Sequence, residues 1–232
     1  MKGARSDMRG TLYARIRFSA IGVAGAVGVA ACSGSSGGDG GAGSASLSGT
    51  VNGATFSVAS EVAALDAAST TCSAGGTSGD DGGAGSCTST GQEVVVILTN
   101  RSDATCSAAQ TQLASGNEAA FANFAELELL VANVTADVAA GTYDVVNAGS
   151  TATEGSLAKY GTTDASCASS ATAQASGGSV TLTAVSASRV TGSYQLTFGT
   201  EGSFSGSFDV PICNLPDAGG NGADAGAPAC LP

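Results

Sequence analysis

Cysteine thiols and carboxylates are the side chains of this sequence that could carry chemistry. The chain has seven cysteines, 19 acidic residues and no histidine. Without histidine there is no Ser-His-Asp or Cys-His pair, no side chain whose ordinary pKa lies near neutrality, and no imidazole metal ligand. Most hydrolase mechanisms are therefore excluded, and we expect that the protein is not an enzyme and needs no cofactor.

A pair of carboxylates is the remaining route to acid–base catalysis, because glycosidases use two Asp or Glu residues that flank the scissile bond. Glu126 and Glu128 would share one face of a predicted strand. Sugar-binding sites usually have aromatic walls, however, and the chain contains no tryptophan. We therefore interpret the two glutamates as a solvated charged face.

Calcium is the metal ion that the remaining carboxylates could bind, because it takes hard oxygen ligands from flexible loops. The candidate ligands lie in two glycine-rich stretches, and they are Asp80 and Asp81 in the first and Asp217, Asn221 and Asp224 in the second. Neither stretch matches the calcium-binding loop of EF-hands. The alternative is that both stretches are surface loops, closed by disulfides, that bind no metal.

The cysteines divide into Cys32 and a set of six further along the chain. The six are Cys72, Cys87, Cys106, Cys167, Cys213 and Cys230. Because the set is even and no C-x-x-C motif occurs, we expect three disulfides formed in an oxidising compartment, and not a zinc site. The pairing that we expect is Cys72 with Cys87, Cys106 with Cys167, and Cys213 with Cys230. The first and third of these pairs would close local glycine-rich loops.

The first 31 residues have the composition of a secretory signal peptide. Five basic residues precede an uncharged segment, 18–31, that is 14 residues long. A helix that spans a bilayer needs about 20 apolar residues, so this segment is too short to cross comfortably. A basic start, a short apolar run and small residues at its end are typical of a cleaved signal. We expect residues 1–31 to be removed, with Met1 or Met8 as the start.

The end of that segment, Val29-Ala30-Ala31-Cys32, resembles the lipobox of bacterial lipoproteins. The resemblance implies a diacylglycerol joined to Cys32 by a thioether, cleavage just before it, and acylation of the new amino terminus. Two or more acyl chains anchor a protein stably on a membrane. The alternative is ordinary cleavage near Ala30 or Ala31 that leaves Cys32 as a free thiol. Ser33 resembles the sorting pattern of enterobacterial lipoproteins, which implies the outer membrane of the cell envelope.

Without the signal, the chain from residue 32 is strongly acidic. It keeps three basic residues against 18 acidic ones, a net charge of −15. Such a surface repels nucleic acid. It also keeps protein molecules apart in solution, which requires no binding partner.

The rest of the chain divides into a tether, a β-rich domain and a tail. Residues 32–45 are mostly glycine and serine and should form a flexible tether. We expect the domain to occupy residues 46–213. Residues 214–232 have no hydrophobic periodicity and should form a tail that is disordered or tied by a disulfide.

The predicted strands are clearest at the C-terminal end of the domain. Residues 179–210 contain three runs of alternating apolar and polar residues, and their apolar positions are Val180, Leu182 and Ala184, then Val190, Tyr194, Leu196 and Phe198, then Phe204, Phe208 and Val210. This period of two indicates an antiparallel meander with one buried face. Asn52-Gly53 predicts a tight hairpin turn, and 91–100 predicts a central strand covered on both faces. Only 106–124 has helical composition, and we expect one short helix or an irregular crossover there.

These elements predict one antiparallel β-sandwich of about eight to ten strands, with a β-barrel as the alternative. The meander and its ending, Phe208-Asp209-Val210-Pro211-Ile212-Cys213, are similar to the closing sheet of uncharacterised β-rich lipoproteins of Gram-negative bacteria. That resemblance implies a fold and a location in the envelope but no activity.

Two functions remain open at this point. The first is an envelope or surface lipoprotein that contributes structure or a non-catalytic binding module. The second is an adhesin-like or scaffold protein that grips a protein or glycan through its loops, with or without Ca²⁺. In both cases the lipid anchor would make the membrane a partner.

Overall fold

In the computed structural model, the described residues are 43–72, 87–108, 120–146, 150, 152–213 and 230–231. They form 13 strands, of which three have two residues each. The strands are β1 (Ser44–Ala45), β2 (Ser48–Val51), β3 (Ser60–Cys72), β4 (Cys87–Thr99), β5 (Ala120–Phe121), β6 (Ala125–Asn133), β7 (Gly141–Asp144), β8 (Glu154–Thr163), β9 (Ser169–Gln174), β10 (Gly177–Val185), β11 (Arg189–Thr197), β12 (Gly202–Pro211) and β13 (Cys230–Leu231). A helical turn covers 106–108.

Two antiparallel sheets pack face to face, as the sequence predicted. In the six-stranded sheet, β1 and β2 both pair with β12, and β11, β10 and β7 follow in that order. The five-stranded sheet has the order β3-β4-β6-β8-β9. The short strands β5 and β13 form a separate parallel pair. The protein is therefore a β-sandwich, and the barrel alternative is wrong.

The C-terminal meander is confirmed as strands β10, β11 and β12. Val180 lies opposite Tyr194, and Leu196 lies opposite Phe204. All four side chains are buried between the two sheets. Ala184 departs from the prediction, because the register shifts at a bulge between Leu182 and Ala184 and leaves Ala184 exposed.

The prediction of a central strand over 91–100 is also confirmed. Strand β4 lies between β3 and β6. Val94, Val96 and Leu98 pack into the core between the sheets, while Ile97, which points to the other face, is also buried. This burial on both sides explains the continuous apolar run.

The Asn52-Gly53 turn forms as predicted, but the hairpin around it consists of the single residue pair Val51 and Ala54. Both residues have positive φ, 54° and 73°, as a tight two-residue turn requires. Val51 and Ala54 exchange two backbone hydrogen bonds of 2.9 and 3.0 Å. Beyond Ala54 the chain leaves this sheet and joins β3 of the other one, so β2 pairs with β12 instead.

Three predicted boundaries need correction. The predicted tether ends earlier than residue 45, because Ser44 and Ala45 form β1 beside Asp209 and Phe208. In segment 106–124, where we expected one short helix or an irregular crossover, the structure describes a helical turn at 106–108 and strand β5 near the far end. The tail, which we expected to be disordered or tied by a disulfide, is not disordered throughout, because Cys230–Leu231 forms β13 against β5.

Candidate functional site

Several of the predicted site residues lie outside the described residues. These are Cys32, Asp80, Asp81, Asp217, Asn221 and Asp224. Lipidation and the calcium loops therefore stay predictions. Within the described ranges, no group of three or more His, Cys, Asp or Glu side chains is placed to hold a metal ion.

The expected disulfides between Cys106 and Cys167 and between Cys213 and Cys230 are wrong, because Cys106 and Cys213 are bonded to each other. The Cα atoms of the two bonded cysteines are 5.1 Å apart, and their sequence separation is 107 positions. Cys213 was expected to close a local loop with Cys230. Instead, the chain crosses at the end of β12 to the five-stranded sheet. There Ile212 bridges to Ala63, and the Cys213 amide donates a 2.7 Å hydrogen bond to the Ala63 carbonyl.

The Cys106–Cys213 bond lies on the outer face of the five-stranded sheet. Cys213 is buried against Val62 and Ile97, which are cross-strand neighbours in β3 and β4. Cys106 packs against the same cluster. The bond thus ties the end of the meander to the segment that follows β4, and it joins the two sheets covalently.

The remaining described cysteines are consistent with further disulfides. Cys167 is disulfide-bonded, in the turn between β8 and β9. Cys72 and Cys87 lie directly opposite each other in the β3–β4 ladder, which is the arrangement that their predicted pairing requires. A total of three disulfides stays a prediction.

Glu126 and Glu128 do not form the solvated face that we expected. They alternate with Leu127 and Leu129, which point into the core, so both glutamates point to the outer face of β6. Strand β6 is enclosed by β4 and β8, and both side chains are only partly exposed. Lys159 lies directly opposite Glu128 in β8.

Burial is the main reason that the pKa values of Glu126 and Glu128 are raised. Loss of contact with water raises the pKa of Glu126, and the positive charge of Lys159 opposes that rise. For Glu128, burial and the nearby charges of Glu126 and Glu93 together outweigh Lys159 and raise the pKa to about 8. Burial thus shifts the acid–base balance of Glu128 towards its protonated form.

The sequence itself indicates that the outer face of β6 is covered. The stretch 126–132 reads ELELLVA, so Leu130 and Ala132 continue the outward-facing row with apolar side chains. The neighbouring strand β4 was already predicted to be covered on both faces. A strand that pairs with it and carries apolar residues on both faces is expected to be covered as well.

Arg101 is one of the few cationic side chains, and its described contacts lie within the domain. Its guanidinium forms two hydrogen bonds of 2.8 and 2.9 Å with the Asp103 carboxylate. It also lies over the ring of Phe121, 4.2 Å from the centroid. These contacts hold β5 against the end of β4.

Comparison with protein-family models, with curated proteins and with solved structures finds no match for this chain. Within the part of the chain that the structure describes, no helix has both the length and the apolar character needed to cross a bilayer.

Proposed function

We propose that this chain is a lipid-anchored lipoprotein of the bacterial cell envelope, held at the outer membrane through Cys32, and that its β-sandwich is a non-catalytic structural or binding module. The observation that carries the proposal is the separation of the cysteines into one lipobox residue and an even set of six. The bond between Cys106 and Cys213 supports it, because disulfides form and persist in oxidising compartments such as the periplasm.

The surface of the six-stranded sheet supports a structural role. The outward-facing residues of β11 and β12 are small or polar, and those that are exposed are Ser193, Gln195, Thr197, Ser203, Ser205 and Ser207. Some hydroxyls on this sheet bond to one another across the strands, as Thr183 and Thr191 do at 2.9 Å. A face of small polar side chains offers no apolar anchor of the kind that dominates protein interfaces.

The proposal is tested by expressing the full chain in a Gram-negative host that is fed radiolabelled palmitate. The wild type should carry the label and sediment with outer membranes, because acyl chains on Cys32 hold it there. Cys32→Ala should lose the label and appear in the soluble periplasmic fraction.

Ser36→Ala is the matched control, since it changes a neighbouring position and leaves the lipobox intact. It should behave as the wild type does. An unlabelled, soluble wild-type protein would overturn the proposed anchor. A labelled protein that stays in the inner membrane would overturn only its location.

A further inference from the structure

The partner of Cys167 follows from where the other cysteines lie. Cys167 is disulfide-bonded, and Cys106 and Cys213 are bonded to each other. The partner therefore comes from the four other cysteines, which are Cys32, Cys72, Cys87 and Cys230. We infer that Cys167 is bonded to Cys230, so that the C-terminal end of the chain is covalently fastened to the turn between β8 and β9.

Cys72 and Cys87 are placed to bond with each other. They end β3 and begin β4, and the register pairs them directly. Residues directly opposite in an antiparallel ladder have Cα atoms about 4.5–5.5 Å apart. That separation lies in the range of about 4.4–6.8 Å that a disulfide spans.

Cys230 is brought to the Cys167 turn by strand β5. Cys230 pairs in parallel register with Ala120, and Leu231 pairs with Phe121. The carbonyl of Phe121 accepts a hydrogen bond from the hydroxyl of Thr163 at the end of β8. Strand β13 therefore lies beside β5, the strand whose Phe121 is bonded to the end of β8 that leads into the turn.

The turn itself is held in a fixed shape by Asp164. The Asn123 amide, just after β5, donates a 3.0 Å hydrogen bond to the Asp164 carbonyl. The same carbonyl accepts a 3.0 Å hydrogen bond from the Cys167 amide. The Asp164 carboxylate accepts a further bond, 2.8 Å long, from the Ser166 amide. Cys167 is thus presented next to the β5 segment that β13 joins.

Bond formation needs a two-electron oxidant. The two thiols lose two protons and two electrons as the sulfur–sulfur bond forms. The disulfide of a thiol–disulfide oxidoreductase accepts them through a mixed disulfide and leaves as a dithiol.

Peptide mapping of the purified full chain tests this pairing. Free thiols are alkylated, and the protein is cut without reduction by trypsin and by a protease that cleaves before aspartate. Trypsin cuts the exported chain after Arg101, Lys159 and Arg189, and the second enzyme separates Cys213 from Cys230 by cutting before Asp217 and Asp224. The expected product is fragment 164–189 linked to fragment 224–232, and reduction should release both.

Fragment 164–189 linked to any other cysteine-containing fragment would overturn the inference, as would alkylated Cys167 in the native protein. In a second experiment, Cys230→Ser should leave one alkylatable thiol, at Cys167. Cys72→Ser should instead leave its thiol at Cys87. A new thiol at Cys72 or Cys87 in the Cys230→Ser protein would also overturn the inference. The wild-type map needs no variant to fold, and it holds whether or not Cys32 carries lipid.

Discussion

The phenol of Tyr194 donates a 2.8 Å hydrogen bond to the backbone carbonyl of Ser46, 148 residues earlier in the chain. Tyr194 is buried in β11, and burial raises the pKa of its hydroxyl. Gly206 of β12 makes the contact possible, because a Cβ atom there would lie 2.7 Å from the Tyr194 hydroxyl oxygen and would also meet the Ser46 carbonyl. One buried hydroxyl therefore fixes the N-terminal strand of the domain at the sheet edge.

We expect Tyr194→Phe to lower the free energy of unfolding by about 1–2 kcal/mol, because it leaves the Ser46 carbonyl without its buried donor. The amide of Ser46, which donates to the Ser207 carbonyl, should exchange its hydrogen faster in this variant. Urea unfolding and hydrogen exchange measure the two effects. Ser193→Ala, at an exposed position of the same strand, is the control and should change neither; equal exchange at Ser46 in the Tyr194→Phe protein would contradict the prediction.

The Cys106–Cys213 bond should contribute strongly to stability, because it closes a long loop of the unfolded chain. For about 100 residues the chain-entropy estimate is about 4.7 kcal/mol, and measured losses are typically about 2–5 kcal/mol. We expect the double variant Cys106→Ser, Cys213→Ser to unfold at correspondingly lower urea under oxidising conditions.

The control for that prediction is the same comparison in excess reductant. Both proteins then lack the bond, and most of the difference should disappear. A double variant as stable as the oxidised wild type would show that the bond adds nothing to folding.

The Glu126–Glu128 pair should make the stability of the domain depend on pH. The pKa of Glu128 is about 8 in the folded protein, against an ordinary value of 4.5. The contribution of Glu128 to the free energy of unfolding is therefore complete below about pH 4.5 and is lost as the pH rises to and through 8. Over this range the carboxyl ionises in the unfolded chain before it ionises in the folded protein, which favours the unfolded chain. Urea unfolding should show a loss on the order of a few kcal/mol between pH 5 and pH 8.5.

We expect Glu128→Gln to flatten this profile, since a neutral amide removes the ionisation. Glu201→Gln, at an exposed turn, is the matched control and should keep the slope of the wild type. The same slope in the Glu128→Gln protein would mean that Glu128 ionises in the folded state as freely as in the unfolded chain.

Two adjacent glycines in β10 should respond very differently to a methyl group. Gly178 has φ of +105°, and a Cβ atom there would collide with the Gln195 carbonyl of β11. A Cβ atom at Gly177 would meet nothing within 4 Å. We expect Gly178→Ala to lower the free energy of unfolding by at least about 2 kcal/mol and Gly177→Ala to change it by less than about 0.5 kcal/mol. Equal urea midpoints for the two variants would contradict this.

The sequence predicts those features of the fold that depend on local periodicity or on the geometry of a single turn. Val180, Tyr194 and Phe204 could be placed in the core because alternation within one strand decides which face a side chain takes. Asn52-Gly53 could be placed in a turn because its backbone geometry demands such residues.

Features that depend on contacts between distant segments could not be predicted in this way. Cys213 meets Cys106 because β12 crosses to the other sheet, which a local-loop argument does not detect. Ser44 and Ala45 carry no hydrophobic signal, and pairing with β12 draws them into the sheet. Glu126 and Glu128 are partly buried by neighbouring strands, although their own spacing is typical of a solvent-exposed face, and only the apolar Leu130 and Ala132 further along β6 indicate that this face is covered.

The position of β12 determines when the pairing of the six-stranded sheet can be completed. This strand holds β1 and β2 on one side and β11 on the other, yet among the described residues it is the last long strand. A polypeptide that emerges from a ribosome or a translocation channel N-terminus first must hold its opening strands unpaired until residue 211 is free. The arrival of β12 is therefore the event that brings β1 and β2 into the six-stranded sheet.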